Sequence, residues 1–256
     1  MVYAVCCVPV SPLRSEPGHR HELVTQLLFG ECCKIVAPGP DGWVKVACQY
    51  DQYEGWCPGN QITEIDMDDY LHASKDLTAE WVSEITYNGH PMHLPLGSSL
   101  TTIHNGRGAW RRNELRYSGK VWEPADHKPE AKALRHQAFL YLNTPYLWGG
   151  KSVFGIDCSG FTQAVYRFFN VPLPRDSSEQ ATMGETVGFL QQARTGDLAF
   201  FDNEEGRIVH VGILLNEYEI IHASGKVRVD KLDTQGIVNG ETGQRTHRLR
   251  IVQRLW

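Results

Sequence analysis

Near Pro124 the chain changes texture, and that change constrains the fold more than any other feature. Upstream, short apolar runs are broken at close intervals by turn residues: Pro9, Pro17-Gly18, Gly30, Pro38-Gly39-Pro40, Asp41-Gly42 and Pro58-Gly59. The runs Lys34-Ile35-Val36-Ala37 and Trp43-Val44-Lys45-Val46-Ala47 alternate on either side of one such turn, the pattern of a hairpin. Strand runs at this spacing predict a small all-β barrel over residues 1–65. Residues 66–78 are acidic and lack alternation, so they read as a linker with room for one helical turn. A second strand-rich stretch, 79–124, is short for a domain but long enough for a second small barrel.

Downstream, over 125–256, helical patterns come first and strands follow. Pro129 to Leu140 has helical apolar spacing. After the Gly149-Gly150 loop, Phe161, Ala164, Val165, Phe168 and Phe169 form a second stripe, whose helix is predicted to start at Asp157-Cys158. From Gly196 the runs 197–201, 208–215 and 219–222 are strands. Helices followed by antiparallel strands predict an α+β domain.

The 256 residues are 41% hydrophobic and 21% charged, a balance that supports a packed core. The net charge of -5 argues against a nucleic-acid partner, because phosphate binding needs a cationic face. Arg245, Arg248, Arg250 and Arg254 read as one solvated strand face. No apolar run reaches transmembrane length, and the first residues lack the basic start and cleavage site of a signal peptide, so no membrane partner is expected. Of seven cysteines, Cys6, Cys7, Cys32, Cys33, Cys48 and Cys57 lie in the first 60 residues, with no CxxC pair to suggest zinc. They read as reduced, partly buried small hydrophobes of a cytoplasmic protein. A disulfide framework is the alternative, as is a periplasmic or secreted location after removal of a leader.

The seventh, Cys158, stands where a helix is predicted to begin. The positive end of a helix favours thiolate, the nucleophilic form, although the same position suits a buried structural cysteine. His210 and His222 sit in the apolar runs Val209-His210-Val211 and Ile221-His222-Ala223. A turn centred on Glu217 sets Gly212 opposite His222 and His210 on the diagonal, on one face and within ~7–8 Å at Cβ. A slip of one residue would separate them. The glycine between them is expected to leave open space for another element. One histidine then serves as base and leaving-group acid, and the second as orienter of its ring. A metal site built from the same three residues is the competing reading.

At these residues the chain resembles the NlpC/P60 cysteine peptidases, which cut bacterial cell-wall peptides. The resemblance is carried in order by Pro145-Tyr146-Leu147-Trp148-Gly149-Gly150, Asp157-Cys158-Ser159-Gly160-Phe161, Pro174-Arg175-Asp176-Ser177-Ser178-Glu179-Gln180, Gly196-Asp197-Leu198-Ala199-Phe200-Phe201, His210-Val211-Gly212-Ile213 and Ile221-His222-Ala223-Ser224. The upstream barrels resemble bacterial SH3 domains. The three-part order is similar to that of γ-D-glutamyl-L-diamino acid endopeptidases of dipeptidyl-peptidase VI type, used in cell-wall peptide recycling. The resemblance implies a papain-like α+β catalytic domain behind two SH3-like barrels. In it, Cys158 attacks a γ-D-glutamyl bond to meso-diaminopimelate or lysine, His210 is the base and His222 its orienter. It also implies that Tyr146 and the Cys158 N–H hold the oxyanion. Asp157 and Ser177, with Ser159 nearby, would hold the substrate's free α-amine, and Asp157 doubles as helix N-cap. Glu31 would pair with the same ammonium and Tyr53 would wall its pocket. The products would include L-Ala-D-Glu.

The expected partner is therefore a murein peptide, L-Ala-γ-D-Glu-diamino acid, acted on by a monomer that needs no cofactor or metal. Two rival readings stand beside this one: a papain-like amidase or acyltransferase working through Cys158, and a non-catalytic peptidoglycan-binding protein in which the barrels carry the function.

Overall fold

The computed structural model describes residues 2–256. They divide into two compact units. One runs to His127 and takes in Trp148–Phe154; the other comprises Lys128–Leu147 and Gly155–Trp256. The glycine loop of the expected 125–256 segment thus belongs to the first unit.

The first unit opens with β1 (Val2–Cys6), β2 (Val10–Arg14), β3 (Leu23–Leu28), β4 (Cys32–Pro38), β5 (Trp43–Cys48), β6 (Glu54–Pro58) and β7 (Ile62–Ile65). They form one antiparallel sheet in the order β3-β2-β6-β5-β4-β1-β7. The predicted hairpin is β4–β5, with Lys34 opposite Ala47. Strand alternation sends Ala4, Cys6, Leu13, Leu27, Cys33, Val46, Cys48 and Cys57 into one core. None of the seven cysteines forms a disulfide. Burial pushes the Cys6, Cys33 and Cys48 thiols well up and that of Cys57 to about 12, so these four act as small protonated hydrophobes. Cys32, next to Cys33, faces the opposite side of β4 and joins a different core.

That second core has no counterpart in a reading of two separate barrels. Next come α1 (Met67–Leu71), β8 (Leu77–Thr78), β9 (Val82–Tyr87), β10 (His90–Pro95), β11 (Arg107–Trp110), β12 (Asn113–Tyr117) and β13 (Val121–Trp122). Four of these strands make a sheet in the order β10-β9-β12-β11, and β13 pairs with β8 apart from it. Val5, Phe29, Cys32, Ile65 and Tyr70 pack together with Ile85, Leu94, Trp110, Leu115 and Tyr117. The stretch 66–78 is therefore more than a linker, since it supplies Tyr70 to this core and β8 to a ladder. Gly30 (φ 77°) permits the close approach: a Cβ there would lie 1.9 Å from the Ser99 carbonyl oxygen. The same unit includes β14 (Lys151–Ser152), where the Lys151 N–H donates to Gln26 Oε1 at 2.8 Å.

The second unit contains α2 (Ala131–Phe139), β15 (Gly155–Ile156), α3 (Cys158–Arg167), α4 (Ser177–Gln180), β16 (Glu185–Thr186), β17 (Leu198–Asp202), β18 (Ile208–Leu214), β19 (Glu219–Ser224), β20 (Lys226–Asp233), β21 (Gly236–Val238) and β22 (Arg245–Arg254). Both helices fall where the apolar spacing puts them, and the Phe161, Val165, Phe168 and Phe169 stripe is buried. The sheet order is β16-β22-β17-β18-β19-β20-β21, and β21 also pairs with β22. Six strands, β17 to β22, therefore close into a barrel, with β16 added on the outside of β22. Ala199, Phe201, Leu214, Ile220, Leu232, Ile237 and Val252 fill one core against this sheet. The arginines of β22 are paired as well as solvated: Arg245 with Asp233, Arg248 with Asp202, Arg254 with Asp197. Among the described residues, no helix is long and apolar enough to cross a membrane.

Candidate active site

The start of α3 is fixed by one carboxylate. Asp157 Oδ1 accepts from the Gly160 N–H at 2.7 Å, the N-cap bond that commits Cys158 to the first helical position. Arg175, buried to 2% exposure, binds the same side chain with both terminal nitrogens, Nη1 to Oδ1 at 3.0 Å and Nη2 to Oδ2. Its Nη1 also donates to Ser159 Oγ at 2.8 Å. Gln180 adds a second brace: its Nε2 donates to the Ser159 and Pro174 carbonyls, and its Oε1 accepts from Thr162 Oγ1. Asp157 and Ser159 are thus held as one unit. Ser177 stands half-buried at the first residue of α4. Sequence reasoning missed the part played by Arg175. It sits in a short irregular segment with no periodicity, and its partner is 18 residues away.

Electrostatics around Cys158 run against the expectation of a lowered thiol. Burial, and then the neighbouring Asp157, push it up to about 11, outweighing the Val211 and Ser159 N–H groups and Arg175, which favour the thiolate. The link to Val211 sets the sulfur beside the β18 backbone next to His210. His210 is held well below the ordinary histidine range by burial, then by His222 and His247. Both shifts disfavour charge, so the resting site is a neutral thiol beside a neutral imidazole. Tyr146 is half-buried, and its phenol is pushed up to about 12 by burial, then by Cys158 and Asp157. It is a protonated donor close to the cysteine.

The histidines meet as the strand register requires. Gly212 pairs with His222, Ile213 with Ile221 and Leu214 with Ile220, so the turn centres on Glu217 as predicted. His210 Nε2 lies 2.8 Å from His222 Nδ1. These two nitrogens bond each other, which occupies lone pairs that a shared metal would need. Gly212 does not leave open space between them. A Cβ there would sit 2.7 Å from Ile220 Cδ1 and 2.8 Å from His222 Cβ.

Two further residues complete the group, and neither was singled out from the sequence. His222 Nε2 lies 3.0 Å from Asp230 Oδ2, while Asp230 Oδ1 accepts from Arg228 Nη2 at 3.0 Å and from the Gly240 N–H at 2.8 Å. One signal was available: a hairpin turn at Gly225 pairs His222 with Arg228 and Ile220 with Asp230, on the histidine face. His247, on β22, stacks on His210 with ring centroids 4.1 Å apart and planes 26° apart. Its place 37 residues beyond His210, after three further strands, gave no such signal.

Glu31 and Tyr53 belong to the first unit. Glu31 is buried, and its Oε2 accepts from the Leu28 N–H at 3.0 Å and from Lys151 Nζ at 3.1 Å. The carboxylate oxygen expected to meet a substrate ammonium thus already holds a protein ammonium. Tyr53 is half-buried just before β6, its N–H donating to Asp51 Oδ1.

The sequence and the fold are similar to those of known proteins. The NlpC/P60 family profile matches residues 143–245, and that of the bacterial dipeptidyl-peptidase Sh3 domain matches residues 13–62. A gamma-D-glutamyl-L-lysine dipeptidyl-peptidase of Bacillus subtilis is 30% identical over 218 residues, 78% of this chain and 71% of that protein. The chain belongs to the NlpC/P60 family. A Bacillus cereus protein also named gamma-D-glutamyl-L-lysine dipeptidyl-peptidase is 28% identical over 260 residues, covering 89% of this chain and 76% of that one. A crystal structure of an NlpC/P60 family protein from Bacillus cereus superposes with a TM-score of 0.82 at 20% identity, covering 98% of this chain and 99% of that one. The fold is therefore the NlpC/P60 papain-like domain behind an SH3-like domain. The NlpC/P60 match contains Cys158, His210, His222 and Asp230 and ends before His247.

Proposed function

We propose that this chain is a cysteine endopeptidase that hydrolyses the γ-D-glutamyl bond to an L-diamino acid, meso-diaminopimelate or lysine, in murein peptides. Cys158 attacks the γ-carbonyl as His210 takes its proton, and His222 orients the His210 ring. The Tyr146 hydroxyl and the Cys158 N–H stabilise the tetrahedral oxyanion. His210 returns the proton to the leaving amine, and water then hydrolyses the thioester to release L-Ala-D-Glu. Asp157 and Ser177 receive the ammonium of the substrate's first residue, with Arg175 fixing the Asp157 carboxylate in place. The observation that carries this reading is the bonded pair of His210 and His222, with the Val211 N–H next to His210 meeting the helix-start cysteine. The Bacillus relatives supply the substrate class through their names.

The same proposal takes the sheet over 79–124 as a second, divergent SH3-like domain and the enzyme as a monomer acting away from membranes. It places the enzyme in a reducing compartment, on the burial of Cys6, Cys33, Cys48 and Cys57 as thiols in one apolar core. The test is hydrolysis of L-Ala-γ-D-Glu-diaminopimelate, its lysine counterpart, and each peptide N-acetylated. The free-amine peptides should yield L-Ala-D-Glu, the acetylated ones should not, and Cys158→Ala should be inactive on all. No dipeptide from any peptide would sink the activity. Equal rates on free and acetylated peptides would remove the amine roles of Asp157 and Ser177.

A further inference from the structure

Asp230 is buried on β20, its side chain 1% exposed, on the face that bears His210 and His222. Its two oxygens do different work. Oδ1 is clamped by two donors, Arg228 Nη2 and the Gly240 N–H. Arg228 is held in turn, its Nη2 donating to Asn239 Oδ1 at 3.1 Å and its Nη1 lying 3.2 Å from Glu241. Oδ2 meets His222 Nε2 at 3.0 Å, with Arg228 Nε 2.9 Å away. An ionised carboxylate only accepts, so the proton on His222 must sit on Nε2. In the neutral ring Nδ1 is then bare and accepts from His210 Nε2–H at 2.8 Å. His210 is left with Nδ1 as its one bare nitrogen, the form a general base requires.

We infer that Asp230 is a positioning residue of this site: through His222 it sets the tautomer in which His210 presents a bare Nδ1 as base for Cys158. The inference rests on the peptidase reading for its kinetic consequence, but not for the protonation pattern. It extends the cysteine–histidine–histidine group by one residue and gives Arg228 and Gly240 the task of holding that residue still.

The clamp on Oδ1 makes a discriminating test possible. In Asp230→Asn two hydrogen-bond donors, Arg228 Nη2 and the Gly240 N–H, hold the amide oxygen at the Oδ1 position against the single Arg228 Nε near Oδ2, so the NH₂ faces His222. That group donates, which forces His222 Nε2 bare, His222 Nδ1 protonated, His210 Nε2 bare and His210 Nδ1 protonated. Asp230→Ala imposes no tautomer. The near-isostere should therefore be the worse enzyme: Asp230→Asn should lose about 10²–10⁴-fold in kcat with little change in KM, and Asp230→Ala less. A merely structural role gives the opposite order, and that order would overturn the inference. The ring tautomers of each variant, read from ¹⁵N shifts, should differ as stated, which separates a failure of this inference from a failure of the substrate assignment. Should a variant fail to fold, ¹⁵N shifts of the wild-type protein decide the matter. His222 is expected to show a protonated Nε2 and a pyridine-like Nδ1; the reverse would refute the relay.

Discussion

A cysteine at a helix start is pulled two ways, and magnitude decides between them. The end of the helix contributes about half a unit charge, which favours thiolate. Against it stand burial and the Asp157 carboxylate next in the chain, and together they raise the thiol to about 11. His210 cannot rescue the thiolate by becoming a cation, because burial holds it well below the usual histidine range. In the proposed reaction Cys158 is thus activated when its proton is removed during attack, not beforehand. A thiol of this kind carries a small thiolate fraction at neutral pH, and that fraction grows with pH up to about 11. Its alkylation by iodoacetamide should accordingly rise about tenfold per pH unit from pH 6 to 10. A rate that levels off below pH 7 would mean a standing thiolate–imidazolium pair and would refute this account.

At the scale of elements, the site depends on the seam between β18 and β19. His222 is fully buried, with a bond at each ring nitrogen, so it has nowhere to retreat. Gly212 lies directly opposite it, where a methyl group would press on His222 Cβ and Ile220 at under 3 Å. Gly212→Ala should cost about 1–3 kcal/mol, as overpacking does, and should lower kcat by displacing His222. Urea midpoint and kcat measured together check this; an unchanged pair of values would show that the seam has slack. This seam was legible in the sequence, because alternation fixes which residues share a face and the turn at Glu217 fixes the register. The Asp157 cap was legible too, since capping is local. Arg175 and Asp230 were not. Each is a charged residue in a polar run, and its partner is determined by how separate elements pack. For Asp230 the turn at Gly225 offered the register, but nothing in Arg228-Val229-Asp230-Lys231 distinguishes a buried carboxylate from a solvated one. The closed barrel was also hidden, because the pairing of β21 with β22 depends on curvature that alternation does not encode.

At the scale of the molecule, the first unit shows what a texture-based reading leaves out. Alternation identifies the two faces of β1 and β4, yet it cannot say what covers the second one. Val5 and Cys32, paired across those strands, turn away from the cysteine core and pack with residues from β9, β10, β11 and β12. Phe29 joins them, its ring 4.9 Å from that of Trp110. Trp110 is fully buried, also meets Tyr87 at 6.3 Å, and donates through Nε1 to the Thr101 carbonyl. Two sheets that share such a core have no separate cores on these faces, so they should unfold as one cooperative body. Trp110→Ala removes the largest side chain of the contact and should cost about 3–5 kcal/mol. The loss should be felt on both sides: amide hydrogens of β1 and β4 should gain exchange rate together with those of β9 and β12. Hydrogen exchange read strand by strand tests this. If β1 and β4 keep wild-type protection while β9 and β12 open, the sheets are independent modules, and the shared core contributes packing without cooperativity.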